Sequence, residues 1–202
     1  MKSQSAGCFD ALASDARWGT FTAEERLRVD AFVRQWAIKP GDRVLEPGCG
    51  SGRLTAVLAD LTGPTGRVEA FDCSPEFLRV AAKRRLAPHV SLRAAWADSL
   101  VLAQESFDHV ICFNVFPHLM PQSVIACRLV AALRPGGRFW IAHTCSRAAV
   151  NGVHRRGPPV LHDHILPAPR ALARLLREAG LKEVEIDDAT DHFLARAVRP
   201  AH

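Results

Sequence analysis

Short apolar runs alternate with longer amphipathic stretches along most of the chain. The runs predict strands at 43–46, 67–72, 90–94, 107–113 and 138–143, and the stretches between them have the apolar spacing of helices. Strands that alternate with helices indicate an α/β fold, in which a doubly wound, mostly parallel sheet is joined by right-handed crossovers. In such sheets ligands bind beyond the carboxyl ends of the strands.

Both ends of the chain extend this pattern. Thr22 and Glu25 have the spacing of a capping box, which predicts that a helix begins after Thr22 and ends before Pro40. After 143 we expect an irregular segment, 144–167, then a helix over 169–179 and two strands near 182–187 and 192–198 that pair as a hairpin. The length of 202 residues suits a single domain, 1–202, in which 1–20 forms a flexible N-terminal cap.

A glycine-rich turn lies between the first predicted strand and the helix that follows it. Gly48, Gly50 and Gly52 alternate there, and glycine allows positive φ and a close approach of the backbone to a ligand. The second strand ends at Asp72, twenty residues after Gly52, the offset at which a carboxylate can accept both hydroxyls of a ribose. The two strand ends therefore predict a nucleoside site.

The order of four motifs resembles the class I S-adenosylmethionine-dependent methyltransferases. These motifs are EPGCGSG, FDCSPEFL, FDHVICFNVFPHL and LRPGGRFWIAHT, and the similarity covers roughly residues 20 to 145. The resemblance implies a Rossmann-like sheet of seven strands with an antiparallel last strand, and S-adenosyl-L-methionine as cofactor. It also implies an enzyme that transfers a methyl group to an O, N or S atom of a small-molecule acceptor.

A nicotinamide dehydrogenase is the competing interpretation, because it shares the doubly wound sheet. Its fingerprint requires a third glycine where this chain has Arg53, and a larger side chain would crowd the packing of helix on strand. Glu46, just before the turn, would repel a pyrophosphate but would attract the cationic amine and sulfonium of S-adenosylmethionine. The electrostatics favour the methyl donor.

The resemblance also implies roles for individual residues around the donor. Glu46 and the backbone of Gly48, Gly50 and Gly52 would hold the methionine end, and Asp72 would hold the ribose. Asp98 would contact the adenine amine, with Cys73 and Ala97 beside the ring. Asn114 and Phe116 would line the pocket around the methyl group. All of these residues follow predicted strands.

Histidines and arginines concentrate in the segment 144–167 and next to it, where we expect a substrate-lid insertion. We interpret His118 or His154 as the general base, and Asn151, Arg155 and Arg156 as the residues that bind the acceptor. A polar surface loop is the alternative. His162 and His164 could also share a cation with His154, since alternate positions of an extended segment face one way, but we predict no metal.

Composition and charge limit the kinds of binding partner that we expect. The net charge is +5, but 26 basic residues are mixed with 21 acidic ones, and the basic clusters lack interleaved aromatic residues, which disfavours nucleic acid. No apolar run is long enough to span a bilayer and no signal peptide is evident, so we expect a cytoplasmic protein without a membrane partner. A homodimer is left open. The alternatives to small-molecule methylation are an RNA-modifying methyltransferase and a non-catalytic nucleoside-binding module.

Overall fold

The computed structural model describes residues 2–15 and 18–201. The chain divides into two compact units, Met1–Ser99 and Leu100–His202. We call them unit 1 and unit 2 and describe each by itself. The prediction of one domain over 1–202 stays a prediction. Among the described residues, no helix combines the length and the apolar character that crossing a membrane requires.

Unit 1 contains three parallel strands and four helices. The middle strand pairs with both others, Arg43 lying opposite Arg67 and Asp72 opposite Ala94. The predicted capping box is confirmed, because Thr22 and Glu25 form it at the start of one helix. Ser74 caps another helix that has a proline at its start. The elements are α1 (Lys2–Ala13), α2 (Ala23–Trp36), β1 (Arg43–Pro47), α3 (Arg53–Thr62), β2 (Arg67–Asp72), α4 (Pro75–Ala82) and β3 (Val90–Ala94).

Unit 2 contains four strands and three helices. β4 pairs with β5 in parallel, and β7 pairs antiparallel with both β5 and β6. Two short 3₁₀ turns, Phe116–His118 and Pro159–Leu161, interrupt the loops. The elements are β4 (Phe107–Phe113), α5 (Gln122–Ala132), β5 (Leu133–His143), α6 (Arg147–Arg156), α7 (Pro169–Glu178), β6 (Lys182–Asp188) and β7 (Phe193–Val198).

The predicted fold class is confirmed. The seven strands are those of a Rossmann-like α/β fold that is mostly parallel, with antiparallel strands at the end of the chain. All seven positions of β4 are buried, which explains why this strand appears in the sequence as a nearly continuous apolar run. The polar residues that follow the strands are thereby placed at the carboxyl ends of β1, β2, β4 and β5.

Three predicted segments differ from the structure. The segment 144–167 is not irregular throughout, because α6 occupies 147–156 and the Ser146 hydroxyl caps it by accepting the Ala149 N–H. β5 begins at Leu133, five residues earlier than predicted, and its register on β4 shifts between Phe107 and His109. α1 lies in the segment predicted to be a flexible cap, whose flexibility stays a prediction.

Candidate functional site

The glycine turn of unit 1 depends on backbone conformations that side chains disfavour. φ is +66° at Gly48, +54° at Gly50 and +75° at Gly52, all in the left-handed region. A Cβ at Gly52 would lie 3.0 Å from the Cβ of Ala81, which shows how closely α4 packs on the turn. The N–H of Gly48 donates to the Phe71 carbonyl at 2.7 Å and ties the turn to the end of β2.

Asp72 holds this turn and the start of α4 with its two carboxylate oxygens. Oδ2 accepts the Gly50 N–H at 2.8 Å, and Oδ1 accepts the Ser74 N–H at 2.9 Å. Burial raises the pKa of Asp72, while the backbone N–H donors act against the rise. A carboxylate can accept about four hydrogen bonds, so the two oxygens retain lone pairs for ligand hydroxyls.

Glu46 is a nearly inaccessible acid at the end of β1. Its side chain is 2% exposed, and Oε2 accepts the Thr55 hydroxyl at 2.6 Å. Burial raises the pKa of Glu46 to about 8, the Thr55 hydrogen bond lowers it, and the nearby Asp72 raises it further. Glu46 is therefore largely neutral at pH 7 until a cation favours its ionised form. Thr55 was not predicted as a site residue, because its only signal in the sequence is a hydroxyl in the first turn of α3.

The residues predicted around the adenine ring follow β2 and β3. Cys73 is half-buried, and burial together with Asp72 raises the pKa of its thiol to about 12. The Ala95 N–H donates to the Asp72 carbonyl at 2.9 Å, so the segment that contains Ala97 and Asp98 begins beside the end of β2. Both residues are half-buried. Their contact with adenine stays a prediction.

Arg53 occupies the position where the dinucleotide fingerprint has glycine. Its guanidinium lies over the rings of Phe21, at 4.5 Å, and Trp18, at 5.6 Å, and it pairs with Glu25 at 3.1 Å. The Ser51 hydroxyl donates to the Trp18 carbonyl. The segment 18–21 is thus fastened to the glycine turn. This role of Arg53 was not predicted from the sequence, in which Arg53 served only as evidence against a dehydrogenase.

In unit 2, Asn114 connects the ends of two neighbouring strands. It has a φ of +52°, its N–H donates to the Ala142 carbonyl at 2.8 Å, and its Oδ1 accepts the Thr144 N–H at 3.1 Å. Phe116 begins the following 3₁₀ turn and is fully buried. These contacts give Asn114 a structural role at the strand ends. Its role beside a methyl group, and that of Phe116, stay predictions.

Four histidines from separate elements converge in unit 2, and we call them the histidine cluster: His118, His143, His154 and His164. The ring of His118 lies 4.7 Å from that of His154 and 5.2 Å from that of His164, measured between centroids. The Nδ1 atoms of His118 and His164 are 3.0 Å apart and form a hydrogen bond. The structure thus brings together the two histidines predicted as general bases.

The surroundings of the histidine cluster keep its imidazoles neutral. Burial lowers the pKa of all four, and the positive field of neighbouring imidazoles adds to this for His118, His143 and His164. The pKa of His143 falls to about 3. His143 is 2% exposed, and its Nε2 has no hydrogen-bond partner among the described residues. Neutral imidazoles can accept protons, which suits the cluster to base chemistry.

The residues predicted to bind the acceptor all lie in α6, where they differ in burial. Asn151 is buried and uses both ends of its amide on Leu166, with Oδ1 accepting the N–H at 2.7 Å and Nδ2 donating to the carbonyl at 3.0 Å. This pairing favours a scaffold role for Asn151. Arg155 and Arg156 are exposed at the end of α6. Their contact with an acceptor stays a prediction.

The alternative of a cation shared by His154, His162 and His164 has no support in this arrangement. His162 Nε2 donates to the Gly157 carbonyl at 3.0 Å. Within residues 2–15 and 18–201, no group of three or more His, Cys, Asp or Glu side chains is arranged to hold a metal ion. His118, which the sequence alternative did not include, is the histidine that pairs with His164.

Comparison with known proteins identifies the family. A family model described as a methyltransferase domain matches residues 44–137. A ubiquinone biosynthesis O-methyltransferase of Burkholderia pseudomallei (strain 1710b) is 32% identical over 179 residues, which cover 82% of this chain and 75% of that protein.

Two solved structures share the fold. One matched chain comes from a complex between the Haloferax volcanii Trm112 methyltransferase activator and a methyltransferase. Its TM-score is 0.78 at 21% identity, and the match covers 95% of this chain and 97% of that chain. A SAM-dependent methyltransferase of Aquifex aeolicus matches with a TM-score of 0.70 at 19% identity, and the match covers 96% of this chain and 98% of that chain. Together with the motif succession, the matching domain and the relative at 32% identity show that this chain belongs to the class I S-adenosylmethionine-dependent methyltransferases.

Proposed function

We propose that this enzyme methylates a hydroxyl oxygen of a small molecule. His118 is the proposed general base, and the neighbouring His154 is the second candidate for that role. The observation that carries the proposal is the convergence of these two rings, 4.7 Å apart, in a buried group of neutral imidazoles. A base is needed when the acceptor must lose a proton, as a hydroxyl usually must. The O-methyltransferase relative supports the same acceptor atom.

The residues of unit 1 fit the donor. S-adenosylmethionine supplies an electrophilic methyl group on a sulfonium. Asp72 has lone pairs left for the ribose hydroxyls, and the left-handed backbone at Gly48 and Gly50 leaves space for a ligand to approach. Glu46 would bind the amine of the methionine end and become ionised as it does so. Cys73, Ala97, Asp98, Asn114 and Phe116 complete the proposed donor contacts.

On the acceptor side, His118 would take the hydroxyl proton while the oxygen forms its bond to the methyl carbon and the carbon–sulfur bond breaks. The sulfur keeps the electron pair of the broken bond and leaves as a neutral thioether. His154 is the alternative candidate for this step, because its Nδ1 donates to the His164 carbonyl and its Nε2 therefore carries a lone pair. Arg155 and Arg156 would bind an anionic group on the acceptor.

The test is a panel of small aromatic acceptors that carry a hydroxyl, an amine or a thiol, with release of S-adenosylhomocysteine as the readout. We expect turnover of hydroxyl acceptors and a large loss with His118→Ala, whereas His162→Ala, a histidine outside the cluster, keeps the wild-type rate. Turnover of amines or thiols alone would contradict the proposal. Donor binding without turnover of any class would favour a non-catalytic nucleoside-binding module, and turnover of RNA alone would favour RNA modification.

A further inference from the structure

We propose that His164 is a positioning residue of this reaction, one that holds both candidate bases and carries the acceptor proton from His118 toward solvent. The inference rests on the proposed function, since it concerns the proton that O-methylation releases. His164 is not among the site residues predicted from the sequence. Three separate features of the structure support it.

The first feature is the hydrogen bond between the rings of His118 and His164. Two neutral nitrogen atoms 3.0 Å apart can form a hydrogen bond only if one of them carries a proton. When Nδ1 of His118 is the donor, its Nε2 has the lone pair that a base needs. When His118 takes a second proton at Nε2, the shared proton can move to Nδ1 of His164 and leave His118 neutral again.

The second feature is the backbone of the same residue. The carbonyl oxygen of His164 accepts the Nδ1 proton of His154 and so fixes the tautomer of that ring. His164 therefore contacts both candidate bases, one through its side chain and the other through its main chain. A substitution at 164 removes the imidazole contact but retains the carbonyl, which separates the two effects experimentally.

The third feature is a gradient of burial and charge. His118 faces three other imidazoles, those of His143, His154 and His164, all of which disfavour a positive charge on it. His164 is only half-buried; burial and the nearby His154 lower the pKa of its imidazole, and the carboxylate of Asp163 raises it. Water and a carboxylate both stabilise an imidazolium. A proton is thus more stable on His164 than on His118, which favours its transfer outward.

Nitrogen NMR of the histidine side chains tests the pair in the protein without acceptor. In ¹⁵N-histidine-labelled enzyme we expect a scalar coupling across the Nδ1–Nδ1 hydrogen bond of His118 and His164 and the Nδ1–H tautomer of His154. In His164→Ala the coupling is lost while the His154 tautomer persists. A wild-type spectrum in which His118 and His164 titrate independently, without coupling, would overturn the inference. So would one equivalent of tightly bound zinc, because the metal would occupy those lone pairs.

Turnover of a hydroxyl acceptor tests the role. We expect His164→Ala to lower kcat roughly tenfold or more, to leave the KM for S-adenosylmethionine unchanged, and to recover when imidazole is added to the buffer. His164→Asn retains hydrogen-bonding groups but cannot carry a proton, so it should be as slow as His164→Ala. His162→Ala is the matched control, because His162 lies two residues away and its ring forms a hydrogen bond with the Gly157 carbonyl. Its kcat should equal that of the wild type.

The outcomes separate the two proposals. If His164→Asn turns over at the wild-type rate, or if imidazole rescues nothing, His164 does not carry the proton and the inference is wrong. If the wild-type enzyme shows the coupled histidine pair but turns over no hydroxyl acceptor, the proposed function is wrong although the pair exists. If the pair is missing while hydroxyl turnover depends on His118, the proposed function survives and the inference fails.

Discussion

Ionisable groups are buried in both units: the carboxyls of Glu46 and Asp72 in unit 1 and the histidine cluster in unit 2. Burial shifts their pKa values in opposite directions. Burial raises the pKa of both carboxyls, that of Glu46 to about 8, and lowers the pKa of the imidazoles, that of His143 to about 3. The same physical cause, loss of water around the charged form, therefore leaves both regions less charged than exposed groups would be. A ligand cation can restore charge in the first region, and a released proton can create it in the second.

The two regions are also held in different ways. Asp72 is fixed by the backbone N–H groups of Gly50 and Ser74, which any sequence with the right turn can supply. The histidine cluster is held by side chains that contact one another, such as His118 with His164. The position of Asp72 should therefore tolerate changes in surrounding side chains. The contact between His118 and His164 should be lost when either side chain is removed.

Removal of the base should have the largest effect. We expect His118→Ala to lower kcat by roughly 10²- to 10⁴-fold, because general base catalysis contributes that much. The affinity for S-adenosylhomocysteine should not change, since the proposed donor contacts of unit 1 remain. Single-turnover kinetics and calorimetric titration measure the two quantities, and a parallel loss of donor affinity would show that the regions are not functionally separate.

The pH dependence of kcat/KM for the hydroxyl acceptor should test the proposed base, provided that S-adenosylmethionine is saturating, so that Glu46 is already ionised. A neutral imidazole is the active form, and the pKa values of His118 and His154 lie below the ordinary 6.5. Activity should therefore be constant above pH 6.5 and fall only at lower pH. A plateau that begins above pH 6.5 would contradict the neutral cluster.

Asp72→Ala should weaken the donor by roughly 10- to 150-fold, since charge-assisted hydrogen bonds contribute about 1.5–3 kcal/mol. The variant loses the acceptor for the Gly50 N–H as well as the one proposed for the ribose. Calorimetry with S-adenosylhomocysteine measures the change, with the exposed acid substitution Asp60→Ala as control. An unchanged affinity would mean that the donor does not bind at this turn.

Alanine substitutions at two glycines with similar positive φ can separate the cost of backbone strain from the cost of overpacking. Gly52→Ala introduces a Cβ at a φ of +75° and 3.0 Å from Ala81, whereas Gly136→Ala introduces one at +77° with no atom within 4 Å. Strain should cost each variant about 1–2 kcal/mol of unfolding free energy, and overpacking should cost Gly52→Ala about 1–3 kcal/mol more. Denaturant unfolding measures both. Equal losses would show that α4 can move away from the turn.

The smallest effect should be a proton released when the donor binds. Glu46, with a pKa of about 8, is protonated at pH 7 and should ionise beside the amine of S-adenosylmethionine. The binding enthalpy at pH 7 should therefore depend on the ionisation enthalpy of the buffer, and Glu46→Gln should abolish that dependence. A wild-type enthalpy that is the same in phosphate and Tris would place the cation away from Glu46.

Sequence patterns were sufficient for most of the fold, and the reason is local. The strands 67–72, 90–94 and 107–113 have the bounds predicted for them. For 67–72 and 107–113 the reason is that buried strands of a parallel sheet are largely apolar runs, whereas no residue of 90–94 is fully buried. The helix α6 was not predicted, because 144–167 was expected to be irregular; the structure has a helix there that the Ser146 side chain caps and that includes Gly152. β5 was predicted too short, because Pro135 and two glycines normally end a strand.

Local sequence patterns were enough to predict the glycine turn of unit 1 and the acids Glu46 and Asp72 beside it, because the turn depends on its own backbone conformation and a parallel sheet brings the strand ends together. Only the tertiary structure decided the histidine cluster. Its members come from a 3₁₀ turn, a strand end, a helix and a loop, and no spacing along the chain predicts which rings will touch. The physical reason is that side-chain contacts between distant elements depend on how those elements pack, whereas a glycine turn depends on its own backbone.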